Sequence, residues 1–372
     1  MRFSTTSSEL LRALTKVHSV VPAKSTSPIL ENVLFDLLNT TLTVTATDMD
    51  ISLAVALQVK GGEDGRIAIP AKRLVDTVRA LPDTALTFTI DTTTNKIQIA
   101  ASTGEYYLTG ENAKEFPPVS NFKGKEELTI DSSSLKKLIH RTVFAVSADE
   151  LRPAMMGVLF QGKEKELRAV STDGHRLVRV SRKLARGTGL SRDIIIPAKA
   201  LTLMMRSLEG TENTISISDT HIRLMFEQTT LIARLIDETY PNYESVIPQD
   251  NDKMMTVRRE DIVASLRRVS LYASATTHQV RFEVGKKTLR VSAQDIDLGG
   301  EAREQMECEY SGEALEIGFN SVYLIDILTH LDDETVQFRF SAPTRAGIVA
   351  PVNPSDASEE VMMLVMPVRL NA

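Results

Sequence analysis

The stretch Leu42-Thr43-Val44-Thr45-Ala46-Thr47-Asp48 returns as Leu167-Arg168-Ala169-Val170-Ser171-Thr172-Asp173 and, more faintly, as Leu289-Arg290-Val291-Ser292-Ala293-Gln294-Asp295. The copies lie 125 and 122 residues apart. A period that long is a whole domain, because solenoid units run to roughly 20–50 residues. Each copy alternates along its length and closes on an Asp, as a half-buried strand entering a turn does. In the first two copies a second strand leaves the turn, Ile51-Ser52-Leu53-Ala54-Val55 and Leu177-Val178-Arg179-Val180, which reads as a hairpin. Three equivalent domains suggest a quasi-symmetric assembly. The functional question then becomes what the assembly surrounds or binds.

Working outward, each unit opens with a polar cap and an amphipathic helix: Ser7-Ser8-Glu9-Leu10, Ser132-Ser133-Ser134-Leu135 and Arg259-Glu260-Asp261-Ile262. Ser, Glu and Asp at a helix start satisfy free N–H groups and suit the dipole. A strand follows in each (Val33–Phe35, Val158–Phe160, Val280–Phe282), then the repeated strand, then a second helix. That helix starts at Pro70-Ala71-Lys72, Pro197-Ala198-Lys199 and Phe319-Asn320-Ser321, with Pro where a missing N–H costs nothing. It ends at Leu81-Pro82-Asp83, Leu208-Glu209-Gly210 and Leu331-Asp332-Asp333, and two more strands are expected in each unit. The fold class is α+β, two helices on a largely antiparallel sheet, three times over. Boundaries near 123–125 and 250–252 give domains 1–123, 124–250 and 251–372. Their short polar connections imply close coupling rather than flexible tethers.

The composition allows two or three domains with a sizeable core, since 42% of the 372 residues are hydrophobic. One cysteine, Cys308, excludes an intramolecular disulfide and a Cys-based metal site. The N-terminus shows no signal-peptide pattern, and no apolar run approaches the roughly 18 residues of a membrane span. A soluble, cytoplasmic protein without membrane partners is expected.

Net charge is −6, but it is unevenly spread. The six expected helices carry 14 Lys/Arg against 5 Asp/Glu, so the remainder is strongly acidic. The cations are Arg12, Lys16, Lys72, Arg73, Arg79, Lys136, Lys137, Arg141, Lys199, Arg206, Arg258, Arg259, Arg267 and Arg268. Ordinary solvated helix faces account for such residues as well as a phosphate-facing surface does. There is no Trp, and five of the six helices carry no Phe or Tyr except Phe144 at one end. Base stacking on single strands is therefore poorly supported, and sequence-blind contact with duplex phosphates suits the composition better.

Four segments in register with the repeat then carry a resemblance: Ala46-Thr47-Asp48-Met49-Asp50, Ser171-Thr172-Asp173-Gly174-His175-Arg176-Leu177, Tyr240-Pro241-Asn242-Tyr243 with Val246-Ile247-Pro248, and Val365-Met366-Pro367-Val368-Arg369-Leu370. Over essentially the whole chain the sequence resembles the bacterial DNA polymerase III beta subunit family, the sliding clamps. The resemblance implies three clamp domains per chain and a head-to-tail homodimer closing into a ring, with helices inside and sheets outside. It implies a non-catalytic processivity factor without a cofactor. Its partners would be double-stranded DNA, a second copy, the polymerase III alpha subunit, the clamp loader, and other polymerases and repair proteins bound through short peptide motifs.

With the helices inside, the positive lining that meets DNA would comprise Arg12, Lys16, Lys24, Lys72, Arg73, Arg79, Lys136, Lys137, Arg141, Lys199 and Arg206. The dimer contact places Tyr106 and Leu108 opposite Leu271 and Tyr272. A partner-peptide cleft would be lined by Met155, Thr172, Gly174, His175, Arg176, Leu177, Pro241, Val246, Leu364, Met366, Pro367, Val368, Arg369 and Leu370. Met and Leu suit an adaptable apolar groove. The chain departs from the family at Ser245, where an Arg is common, at Pro153 and Ala154, where tyrosines are common, and at Val368, which replaces a common Met.

Asp173-Gly174-His175 also permits an acid–base or metal reading, hence a triple-domain hydrolase. Against it, the matching turns in the other units carry no His, and no phosphate-loop or nucleophile-turn motif appears. Asp48/Asp50 and Asp295/Asp297 read as turn chemistry rather than an ion site. A peptide-binding scaffold without DNA is the third possibility.

Overall fold

The structure is a computed structural model and describes every residue except 119–121, 186, 209–211, 355 and 371–372. The expected helix end at Glu209-Gly210 lies outside the described residues. Six α-helices occur among those described: α1 (Ser7–His18), α2 (Ala71–Ala80), α3 (Ser132–Val143), α4 (Ala198–Ser207), α5 (Arg259–Val269) and α6 (Ser321–Thr329). All six begin where the repeat places them. Thr6, one residue before the expected cap, caps α1: its Oγ1 accepts from Glu9 N at 3.2 Å and donates to Glu9 Oε2 at 3.0 Å. The paired exchange is a variant of the Thr-x-x-Glu capping box.

Among the described residues each repeat runs strand, helix, strands, helix, strands, with five, four and five strands between the helices of the three repeats. The opening strands, Arg2–Thr6, Glu126–Asp131 and Lys253–Arg258, were not expected from sequence. Each buries only two side chains, and each forms by pairing with a strand on the far side of the repeat: Phe3↔Phe88, Leu128↔Ile215 and Met255↔Phe338. Three, three and four strands, rather than two, follow the second helices.

The chain divides into two compact units, 1–133 with 199–235, and 134–198 with 236–372. In the first unit an eight-stranded sheet runs in the order 126–131, 212–217, 221–226, 229–234, 51–58, 41–47, 32–38, 65–70. Its fourth and fifth strands belong to different repeats and pair antiparallel, Leu231 opposite Leu53. A five-stranded sheet in the same unit ends at the strand Gly104–Thr109. Helix α1 buries Leu10, Ala13, Leu14 and Val17 on this unit's core, beside the stacked rings of Phe3 and Phe88, 4.8 Å apart.

In the second unit a nine-stranded sheet places 176–183 beside 359–365, again strands of different repeats, with Val178 opposite Met363. A five-stranded sheet ends at Gly300–Glu307 on one side and Pro367–Val368 on the other. Repeats are thus fused by sheet continuation, each apolar face buried on both sides of the join. At roughly 25 cal/mol per Å² of apolar surface, such a seam is far stronger than a linker contact.

Candidate partner cleft and charged helix faces

In the second unit an apolar cluster of Leu159, Val170, Leu177, Ile195, Tyr243, Ala346, Ile348, Met362 and Leu364 underlies a surface cavity of about 640 Å³. Ten of the fourteen expected cleft residues line it: Met155, Thr172, Gly174, His175, Arg176, Leu177, Pro241, Val246, Leu364 and Met366. Pro367, Val368, Arg369 and Leu370 do not. Met366 N donates to His175 O at 2.8 Å, and the chain then leaves the cavity. Pro367–Val368 pairs with Gly318 and Phe319, and Leu370 packs over Gly318. A two-residue strand followed by a side-chain anchor is a local event that sequence position does not reveal.

The sequence list also missed Arg152, Ser245, Ile247, Pro248, Gln249 and Asp250 on one rim, and Thr344, Arg345 and Ala346 on another. The first group adjoins residues already singled out. The second arrives through sheet order alone, because 335–340 and 347–351 follow 359–365 in the nine-stranded sheet.

The turn at 172–176 is built by its own side chains. Asp173 Oδ1 accepts from His175 N and Arg176 N, both at 2.9 Å, and Thr172 Oγ1 donates to Arg176 O at 2.6 Å. Gly174 sits at φ +89, a conformation natural to glycine. The turn at 47–51 repeats this pattern, with Asp48 Oδ1 accepting from Ile51 N at 2.8 Å and Met49 at φ +84. Asp173 is therefore a turn former also engaged by Arg176 Nε at 3.1 Å. His175 stacks on Tyr323, centroids 5.7 Å apart. Neither residue is arranged as an acid–base pair, and among the described residues no group of three or more His, Cys, Asp or Glu is placed to hold a metal ion.

Arg176 is buried under the rim. It donates to Asp326 Oδ2 at 2.6 Å and Phe144 O at 2.9 Å, and lies against the rings of Phe144 and Tyr323. The expected groove residue is thus chiefly a brace between turn, α3 and α6. His330 continues this cluster, stacked on Phe144 at 3.9 Å and near His140 at 4.6 Å. Burial pushes the His330 imidazole below its usual range, and burial likewise raises the Tyr323 phenol.

The helix cations divide into spent and available. Arg141 is a correction: it is buried, ion-paired to Glu359 and, at 2.9 Å, to Asp332. Such a guanidinium braces the junction and does not face phosphate. Lys24 is a second correction, since it lies exposed in the loop after α1 and not on a helix. Lys199 is paired with Asp48, Lys72 with Asp76 at 3.0 Å, and Arg79 lies 3.8 Å from Asp76. Lys16 Nζ lies 5.8 Å from the Phe226 ring. Arg12, Arg73, Lys136, Lys137 and Arg206 project as exposed side chains, with no ion pair to other described residues. On α5, Arg268 makes a two-pronged contact with Glu304, both bonds 2.7 Å.

At the expected dimer surface, Tyr106 and Leu108 are half-buried on the edge strand 104–109. Leu271 and Tyr272 are 80% and 47% exposed on the short turn after α5, far more than apolar side chains of a finished surface usually are. Tyr272 lies beside Gly300 of the opposite edge strand.

This arrangement of three α+β repeats with an apolar cleft in the second unit defines a DNA clamp. Family models for the N-terminal, central and C-terminal domains of the DNA polymerase III beta subunit match residues 1–120, 129–242 and 244–369. The beta sliding clamps of Chlamydia muridarum and Pseudomonas putida are 30% and 31% identical, each covering 100% of both chains. The crystal structure of a DnaN sliding clamp from Bartonella birtlesii bound to griselimycin superposes with a TM-score of 0.94 at 31% identity, again covering both chains fully. The Pseudomonas aeruginosa clamp, likewise bound to griselimycin, gives 0.92 at 30%. The chain belongs to the DNA polymerase III beta subunit family. Its function is that of a processivity clamp in DNA replication, a non-catalytic accessory subunit, and the hydrolase reading has no support. No helix among the described residues is long and apolar enough to cross a membrane.

Proposed function

We propose that two copies close head to tail into a ring around duplex DNA in the cytoplasm. Domains 1–123, 124–250 and 251–372 would each supply two helices to the inner face. The observation that carries this reading is the sheet continuation at both internal junctions. Of the sheet edges that remain, 104–109 in the first repeat and 300–307 in the third are the surfaces a second copy would join. Arg12, Arg73, Lys136, Lys137 and Arg206 are the cations free to meet phosphate. Contacts of this exposed, sequence-blind kind are individually weak and let a ring slide.

The cleft takes short linear peptides from the polymerase III alpha subunit, the clamp loader, and other polymerases and repair proteins. Its floor of Leu177, Ala346 and Leu364 supplies desolvated area for apolar anchors. Lys136→Glu with Lys137→Glu and Arg206→Glu should shorten polymerase runs while fluorescent peptide still binds. Unchanged run length would favour the peptide scaffold without DNA.

A further inference from the structure

The two internal junctions share one register. In the second repeat a row of side chains crosses the sheet as Leu128, Ile215, Leu224, Leu231, and continues into Leu53 of the first repeat. In the third the row is Met255, Phe338, Val349, Met363, continuing into Val178 of the second. In the first repeat the same row, Phe3, Phe88, Ile99, Tyr106, stops at an open edge. Leu53 and Val178 lie opposite Ala46 and Ser171 of the thrice-repeated strand, and the equivalent residue opposite Ala293 is Ala302.

We infer that Tyr106 of one copy sits opposite Ala302 of the next, and that this register makes Glu105 and Arg303 a charge code by which the chain selects its own kind. The inference rests on the ring reading above. The register also sets Leu108 against Gly300, beside Tyr272, so the inward face closes as an apolar seam. On the outward face Glu105 meets Arg303 and Tyr107 meets Glu301, all four exposed. In the single chain these groups are held locally: Tyr107 Oη donates to Glu105 Oε2 at 2.6 Å, and Arg303 pairs with Glu301. Pairing places Arg303 between two carboxylates, its own chain's and the second copy's. Opposite charges directly across antiparallel strands attract and like charges repel.

Each ring has two such interfaces, which sharpens the test. Glu105→Arg and Arg303→Glu each place like charges together in both interfaces, and each alone should weaken self-association roughly tenfold or more. An equimolar mixture of the two single variants makes one swapped and one native interface, so it should dimerise about as well as the unsubstituted chain. The double variant should pair with itself and exclude the unsubstituted chain. Sedimentation of tagged and untagged copies reads all of these, with melting temperature as the fold control at two exposed sites. Full-strength single variants, or a mixture that fails to recover, would overturn the charge code and leave the ring standing. An unsubstituted chain that stays monomeric at micromolar concentration would sink the ring reading itself.

Discussion

The junction in the first unit and the junction in the second use the same strand pairing but are fastened differently. Between residues 51–55 and 229–233 the cross-strand pairs are uncharged, centred on Leu231 opposite Leu53, and the ion pair of Lys199 with Asp48 in that unit is half exposed at the lysine. Between 176–182 and 359–365 the seam carries a buried network: Arg141 and Arg182 both hold Glu359, and Arg182 also meets Asp356 at 3.0 Å. Hydrogen bonds from Ser358 and the nearby Arg182 hold the Asp356 carboxyl at about 2. The cleft lies beside the second seam. A binding site that must keep its floor and rim in one geometry sits where the join is fixed by ions as well as by packing. A buried pair adds little net stability over an apolar one, but loss of one partner is costly.

That difference can be broken from either side. Arg141→Ala would remove one of the two guanidiniums that hold the buried Glu359, leaving Arg182 alone, and should cost up to about 3 kcal/mol in the second unit. Lys199→Ala, at an exposed pair, should cost about 1 kcal/mol or less. Equal losses in urea unfolding would mean that burial is not what separates the seams. Next in size, Val246→Ala with Met366→Ala should weaken peptide binding by about tenfold, by fluorescence anisotropy, because both shield the anchor pocket. Arg141→Met should leave binding near normal if the brace acts by position rather than by charge. The smallest effect concerns pH. The folded His330 titrates below its ordinary 6.5, so its contribution is fully present above about pH 6.5 and is lost as pH falls through the depressed folded value. Melting temperature should therefore drop on going from pH 7.5 to pH 5.5, and His330→Gln should flatten that drop. Asp326, Arg176 and His140 face the same ring. An unchanged slope in the variant would assign the pH effect to them.

Much of this was readable from sequence. The repeated strand fixed the hairpins, because an alternating run closed by Asp has one turn chemistry, and the Asp48 and Asp173 turns share it. Helix starts were legible because capping residues and Pro act within three or four positions. The opening strands were not, since their partners lie about eighty residues away and their own alternation is too short to register. Ten cleft residues were reachable through the resemblance, whereas Thr344–Ala346 enter only through strand order. Arg141 shows the limit of counting charge on helices. A basic residue at a helical position says nothing about Glu359, 218 positions away, which turns a surface cation into an internal brace.

Encirclement is best tested by retention on DNA of two topologies. Loaded by the clamp loader with ATP, the protein should stay on a closed circular duplex through gel filtration and be lost within the same interval once the circle is cut to a linear form. Equal retention on both forms, or none on either, would contradict a ring that holds DNA by topology.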